Sequence, residues 1–468
     1  DFMGARIVVY SLFSVIITAM IGTSIYLSNV MASKNELFFV ERSNMPQAKL
    51  IYSLKLMGYP ESLYKGQLKA PDYKPSTTDY RNNVDIVLNY TVLLDILQGP
   101  AKPLDYMRHV KMENNSLREL LILLFINSDF KPDPQAEKLI KSQFKDEFYR
   151  LYLLQKYYRL TGDKENHIKA KNKLSSISWS FLLFIFLVVI LLISFSIAGI
   201  VLFIIWIIQW KRQRESSPIV ITHNMQFPAL DAYGIVLIWI LTSLALQQLF
   251  GGLAAILMFA SGNEEALLDG NFPAHILIMV VFVEKLGAGL LVFLIIYVMV
   301  INKEKIPFKL YFKKLFNFSK STVLSGGAAY LVAVPIVYAI SYISGLIFEG
   351  DGLKSNPILE YLLKDTDLFT LTEIAIMIVI LAPLIEEIVF RGILFRHLLQ
   401  WKGFMPAAII SGLIFGLVHA NLATIIPITA LGFILAWTAH RTKSITAPVV
   451  THAIWNAMTL IFTLNIYK

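Results

Sequence analysis

No cysteine occurs in this chain. Disulfide staples, thiolate metal sites and a cysteine nucleophile are therefore excluded. Charge is scarce as well: Asp, Glu, Lys and Arg make up only 16% of residues, against 56% hydrophobic, well above the apolar share of a soluble domain. Histidine is rare, with 8 in 468 residues, so a His inside an apolar run calls for a physical reason. With a mean hydropathy of +0.59, this composition excludes an ordinary soluble enzyme.

What fills the chain instead is long apolar runs, about nine of a length to cross a bilayer. They fall near 7–30, 176–208, 233–260, 274–301, 322–348, 371–399, 406–421, 424–440 and 445–466. The first lacks a small-residue cleavage site after its core, and its length suits a retained anchor. The expected fold class is an all-α polytopic membrane protein with an extracytoplasmic helical domain inserted between the first two spans.

The net charge of +9 has a membrane explanation. Lys211, Arg212 and Arg214 cluster after the second run, and Lys303, Lys305, Lys309, Lys313, Lys314 and Lys320 after the fourth. Arg396, Lys402, Arg441 and Lys443 follow, whereas the intervening loops 262–273, 349–369 and 421–423 are poor in Lys and Arg. Positive charge marks the inner side, which puts the clusters in the cytoplasm and residues 34–172 outside. The expected organisation is an anchor over 1–33, the outer domain over 34–172, accessory spans over 173–369 and a catalytic core over 370–468. The basic aromatic stretch 303–320 reads as an interfacial segment on anionic headgroups, not as a nucleic-acid surface.

Within the insert, Pro60, Pro71 and Pro75 mark irregular chain. Ser116-Leu117-Arg118-Glu119 has the form of a capping box before an apolar run to Ile126. From Pro134 a long amphipathic stretch carries Leu139, Ile140, Phe144, Phe148, Leu151, Tyr152 and Tyr158 at helical spacing.

Three fragments in the last hundred residues carry polar chemistry into apolar runs. They are Glu386-Glu387-Ile388-Val389-Phe390-Arg391, Phe415-Gly416-Leu417-Val418-His419 and His452-Ala453-Ile454-Trp455-Asn456. Ionisable residues in a span cost roughly 2.5–3.5 kcal/mol on insertion scales and are functional candidates by default. On a helix, Glu387 and Arg391 share a face at i, i+4, while Glu386 points about 100° away. One carboxylate is thus tied to the guanidinium and the other is left free for acid–base work. Pro383 is placed to kink the helix beside them.

Glu386 lies sixteen residues before Lys402 and His419 sixteen after Gly403. An inner turn at 402–403 would bring both to similar depth. Gly412 and Gly416 form a small-xxx-small pattern that permits close helix approach. His452 and Asn456 lie one turn apart and can both donate hydrogen bonds, as an oxyanion requires. Depth imposes a condition: His452 is about 14 Å along a helix from Lys443, Glu386 about 24 Å from Lys402. The two match if 395–402 lies along the interface. Glu284 and Lys285, in the middle of the fourth run, read as a structural ion pair facing the bundle, with a substrate gate as the alternative.

The set Glu-Glu-x-x-x-Arg, Phe-x-x-x-His and His-x-x-x-Asn in successive spans resembles the CPBP family, also called Abi, of CAAX prenyl endopeptidases and bacteriocin-processing enzymes. The resemblance covers about residues 370–465, including the Gly432 region and Ser444-Ile445-Thr446-Ala447-Pro448. It implies an intramembrane endopeptidase in which Glu386 and His419 activate water. It further implies that His452 and Asn456 stabilise the oxyanion and that Glu387 and Arg391 hold the site together. No cofactor is expected: His-Glu-x-x-His is absent and Asn is a poor zinc ligand, with a zinc metalloprotease as the alternative mechanism. Expected partners are membrane lipids, a membrane-embedded or lipid-anchored protein or peptide substrate, and a ligand or protein for the outer domain. No nucleic acid is expected. The localisation implied is a bacterial cytoplasmic membrane. A non-proteolytic membrane receptor or scaffold, signalling through residues 34–172, is the competing class.

Overall fold

The computed structural model describes residues 48–50, 52, 84–98, 103–104, 115–126, 134–144, 146–216, 229–260, 274–298, 308–347, 368–419 and 422–467. The expected first span, the Pro-marked part of the insert and most of the connecting loops lie outside them. Among the described residues every regular element is helical. The chain divides into two compact units, one within Met31–Leu191 and one built on Leu192–Ile466.

The first unit packs α1 (Val84–Gln98), α2 (Asn115–Ile126), α3 (Pro134–Gln143) and α4 (Glu147–Thr161) around a core rich in aromatic rings. The amphipathic stretch expected from Pro134 onward is divided between two helices. Asp146 starts the second, its carboxylate accepting from the N–H groups of Phe148 and Tyr149. An Asp in this role satisfies donors that a helix start leaves open. Inside the unit, Asp95 is buried and accepts from Tyr152 Oη at 2.7 Å and Lys156 Nζ at 2.5 Å. Burial and the Asp95 carboxylate hold the Tyr152 phenol well above its ordinary pKa. Asn89, part of one glycosylation-like triplet, is buried within α1.

Helix α5 (Lys164–Ser216) is 53 residues long and crosses the division between the units. Its charged start gives way to a run in which Leu183, Phe186, Leu187, Ile190, Ile193, Ile197 and Ile200 are all exposed. These residues share one face of the helix, and an exposed apolar face of that length suits lipid, not water; on the opposite face Phe195 meets the Tyr330 ring. The second unit continues with α6 (Ala229–Ala260), α7 (Ala274–Ile296), α8 (Phe308–Leu315) and α9 (Lys320–Ile347). It ends with α10 (368–402), α11 (Phe404–Leu417), α12 (Leu422–Thr442) and α13 (Thr446–Tyr467). Five described helices are long and apolar enough to cross a membrane: Lys164–Gln209, Met279–Ile296, Lys320–Ile347, Leu368–Gln400 and Thr446–Asn465.

Helix α10, where Pro383 was expected to kink the span, carries irregularities of another kind. It runs without a break through two π-helical stretches, Ile376–Leu381 and Ile388–Leu394, which flank the short α-helical segment Ala382–Glu387. Such wide turns concentrate at functional sites. Residues 395–402 continue the same helix. Gly403, at φ +75° and ψ −179°, then turns the chain directly into α11; an L-side chain there would be strained. The span expected over 406–421 is shorter than its hydropathy suggested. Helix α11 stops at Leu417 after 14 residues, about 21 Å against a hydrocarbon core of about 30 Å. His419 therefore sits in a turn beyond the helix end.

Candidate active site

The site is assembled where α10, α11, α12 and α13 meet. The close meeting of α11 and α12 depends on small residues. A Cβ on Gly412 would come within 2.9 Å of the Thr429 carbonyl, one on Gly416 within 2.7 Å of the Ile425 carbonyl, and one on Gly432 within 2.9 Å of Gly412 Cα. The small-xxx-small pattern thus does what it does between other spans. The approach also brings the Gly432 carbonyl to the site, where Arg391 Nη2 donates to it at 2.9 Å.

Arg391 and Glu387 are wholly buried. Arg391 Nη1 donates to Glu387 Oε1 at 2.8 Å, the i, i+4 pairing expected from the sequence. The Phe415 ring covers the guanidinium at 4.4 Å, a cation–π contact. The same Glu387 oxygen lies 3.1 Å from His452 Nδ1. The carboxylate can only accept, so His452 donates through Nδ1 and turns Nε2 away. Glu387 thus joins Arg391 on its own helix to His452 on α13, a link of 65 residues in sequence. This contact sets the two motifs at one depth, without any need for 395–402 to leave the line of the helix.

His419 Nδ1 lies 2.7 Å from the Phe415 carbonyl. A carbonyl only accepts, so Nδ1 carries the proton and Nε2 holds a free lone pair. The His419 side chain is exposed at the end of α11, and the charge of Glu386 acts on it. Glu386 itself is buried, and its Oε2 has no hydrogen-bond partner among the described residues. A buried carboxylate oxygen left open is costly and marks a place that receives a donor.

Asn456 answers a backbone need. In the π-helical register the Ala382 N–H reaches back to the Met377 carbonyl. Pro383 comes next in that register and has no N–H to give Ile378. Asn456 Nδ2 supplies the missing donor, 2.9 Å from the Ile378 carbonyl. One amide proton is thereby committed to α10 and the other remains.

All six candidate residues, Glu386, Glu387, Arg391, His419, His452 and Asn456, lie in the second unit. Hydrogen bonds join both Arg391 and His452 to Glu387. Glu386 and His419 are linked by charge, and Asn456 reaches the site through the backbone of α10. One residue went unassigned in the sequence. Phe415 meets Phe390 edge-on at 5.1 Å, His419 at 4.9 Å and His452 at 5.6 Å, besides covering Arg391. Its signal was present as the Phe of Phe-x-x-x-His. Among the described residues no three His, Asp or Glu side chains stand together as a metal-binding group.

Residues 369–458 match the family model described as Type II CAAX prenyl endopeptidase Rce1-like. The C-terminal spans thus resemble an Rce1-like domain, carried by a multi-pass membrane protein. Over 86 residues the chain is 41% identical to the protein of Bacillus subtilis (strain 168) named "Putative membrane peptidase YdiL", a match covering 18% of this chain and 35% of that protein. The chain therefore spans about a third of the length of this curated relative. No solved structure matches it.

Proposed function

We propose that this protein is an intramembrane endopeptidase that hydrolyses membrane-embedded or lipid-anchored protein or peptide substrates. The observation that carries the reading is the buried, unpartnered Glu386 Oε2 beside a His419 whose Nδ1 is committed and whose Nε2 is free. A water donating one hydrogen to His419 Nε2 and the other to Glu386 would be oriented and activated by both. Glu386 takes the proton as the oxygen attacks the scissile carbonyl, then passes it to the leaving amine. The developing oxyanion falls to His452 and Asn456. With Nδ1 held by Glu387, His452 presents Nε2 to the oxyanion, and Arg391 holds Glu387 in place.

The route uses no metal and no cofactor. The charge pattern supports about nine spans, a cytoplasmic membrane location of bacterial type and residues 34–172 outside. The domain scheme of anchor, outer domain, accessory spans and catalytic core belongs to the same reading. Lipids and substrate are the direct partners, and the outer domain offers a place for a ligand or protein.

Purified protein carrying Glu386→Gln tests the mechanism. The variant should keep its melting temperature in detergent and lose at least about 10²-fold in cleavage of a transmembrane peptide, the lower range for general acid–base groups. Near-wild-type cleavage by that variant would overturn the assignment. The competing class, a receptor or scaffold that signals through the outer domain, predicts instead that wild-type protein cleaves nothing while signalling persists in the Glu386→Gln variant.

A further inference from the structure

Glu284 and Lys285 lie at the middle of α7, a helix outside the residues matched by the family model. Lys285 is eleven residues from either end of Ala274–Ile296, about 16 Å along the helix from each. A lipid headgroup at the membrane surface is not its natural partner at that depth. Glu284 is its ion-pair partner among the described residues, at 3.4 Å. Adjacent residues on a helix do not face each other, which explains the length of that contact. Glu284 is buried, whereas the Lys285 side chain keeps 28% of its surface. An ammonium has three donors, and this one has donors to spare.

The helix is set against the site itself. A Cβ on Gly289 would come within 2.6 Å of Ile385 Cδ1 and 3.0 Å of Ile385 Cγ1. Helix α7 therefore rests its backbone on the residue before Glu386. Lys285 precedes Gly289 by four residues and shares its face. On another side, Lys285 Nζ stands 6.0 Å from the centre of the Trp239 ring. Trp239 meets Phe390 edge-on at 5.7 Å, and Phe390 meets Phe415, the ring between the two histidines. The Lys285 charge also acts on His419. An accessory helix thus carries an accessible cation to the edge of the proposed catalytic group.

We propose that Lys285 is a specificity-determining residue whose ammonium receives the free C-terminal carboxylate of the peptide substrate, holding it in register with Glu386. This rests on the endopeptidase reading. A carboxylate matches a point cation with free donors in an apolar setting, where the attraction is strong. A peptide lying in the site brings that anion to mid-membrane depth.

The test uses two peptides identical except at the C-terminus, one a free acid and one an amide, both without Asp or Glu. Full-length protein in detergent should cleave the free acid at least ten-fold more efficiently in kcat/KM, with most of the difference in KM. Lys285→Met should bring the ratio of the two efficiencies close to one, and Lys285→Arg should keep it. Because Lys285→Met leaves Glu284 without its partner, Glu284→Gln/Lys285→Met serves as a second variant with the same expected ratio. Equal efficiencies in the wild type would overturn the proposal. So would an undiminished ratio in both methionine variants, with kcat lowered for both peptides, since that marks a structural role. Equilibrium binding of the same peptides separates this failure from failure of the endopeptidase reading. Preferential binding of the free acid that Lys285→Met abolishes, without any cleavage, would keep the carboxylate site and sink the hydrolytic one.

Discussion

Arg391 is a charge with no route to water. Its guanidinium is held by Glu387 and the Gly432 carbonyl and faced by Phe415. Breaking a buried pair from one side leaves an uncompensated charge and costs about 3–5 kcal/mol. Glu387→Gln should therefore lower stability by that order as well as activity, read as a reduced melting temperature in detergent. Glu386→Gln should not, because Glu386 makes no such pair. Equal melting temperatures for the two variants would show that Glu387 does not anchor Arg391. The metal question is tested directly. If Glu386 and His419 activate water without a metal, strong chelators should leave purified enzyme active, and elemental analysis should find no stoichiometric zinc. Activity lost on chelation and restored by one zinc per chain would make the site a metalloprotease. The Glu387–Arg391 pair was legible in the sequence because four residues on a helix fix a shared face. The Glu387–His452 bond was not, since nothing in local periodicity says which face of α13 turns toward α10.

At the scale of the element, the departures from ideal helix geometry lie next to the chemistry. Two π-helical stretches bracket Ala382–Glu387, and Pro383 deprives the first of one donor. Sequence reasoning took Pro383 as a kink and Asn456 as an oxyanion donor. Packing joins them, because Asn456 restores the bond that Pro383 cannot make. Asn456→Leu should leave the Ile378 carbonyl unsatisfied, at about 1–3 kcal/mol. Pro383→Ala returns an N–H to that register, so the double variant Pro383→Ala/Asn456→Leu should melt above Asn456→Leu alone. Additive losses in a double-mutant cycle would show that the two residues are not coupled. The turn between α10 and α11 was legible from Gly403; the close approach allowed by Gly412 and Gly416 was legible too, but not that its partner is α12 and not α10. The early end of α11 was not: hydropathy continues to Val418, while the helix stops at Leu417 and frees His419 to face the site.

On the scale of the molecule, the spans were readable because lipid demands length and apolarity together, and α5 meets both with a long exposed apolar face. The helical unit was readable as helices but not as a packing. The buried Asp95–Tyr152–Lys156 cluster arises from contacts between segments far apart in sequence. That unit lies within Met31–Leu191, whereas every candidate catalytic side chain lies within Leu192–Ile466. Its own core of Tyr90, Phe125, Phe144, Phe148 and Tyr149 is closed by its own residues. A unit with a separate core and no share in the chemistry is expected to govern which substrates arrive, not how bonds break. Replacing residues 34–172 with a short polar linker should therefore preserve cleavage of a small lipid-soluble peptide while changing substrate choice or regulation in cells. Parallel assays of the peptide in detergent and of substrates trapped in cells by the Glu386→Gln variant would read the two effects separately. A linker variant that folds, keeps the oligomeric state of the intact protein and cleaves no peptide would show the helical unit to be part of the catalytic machinery.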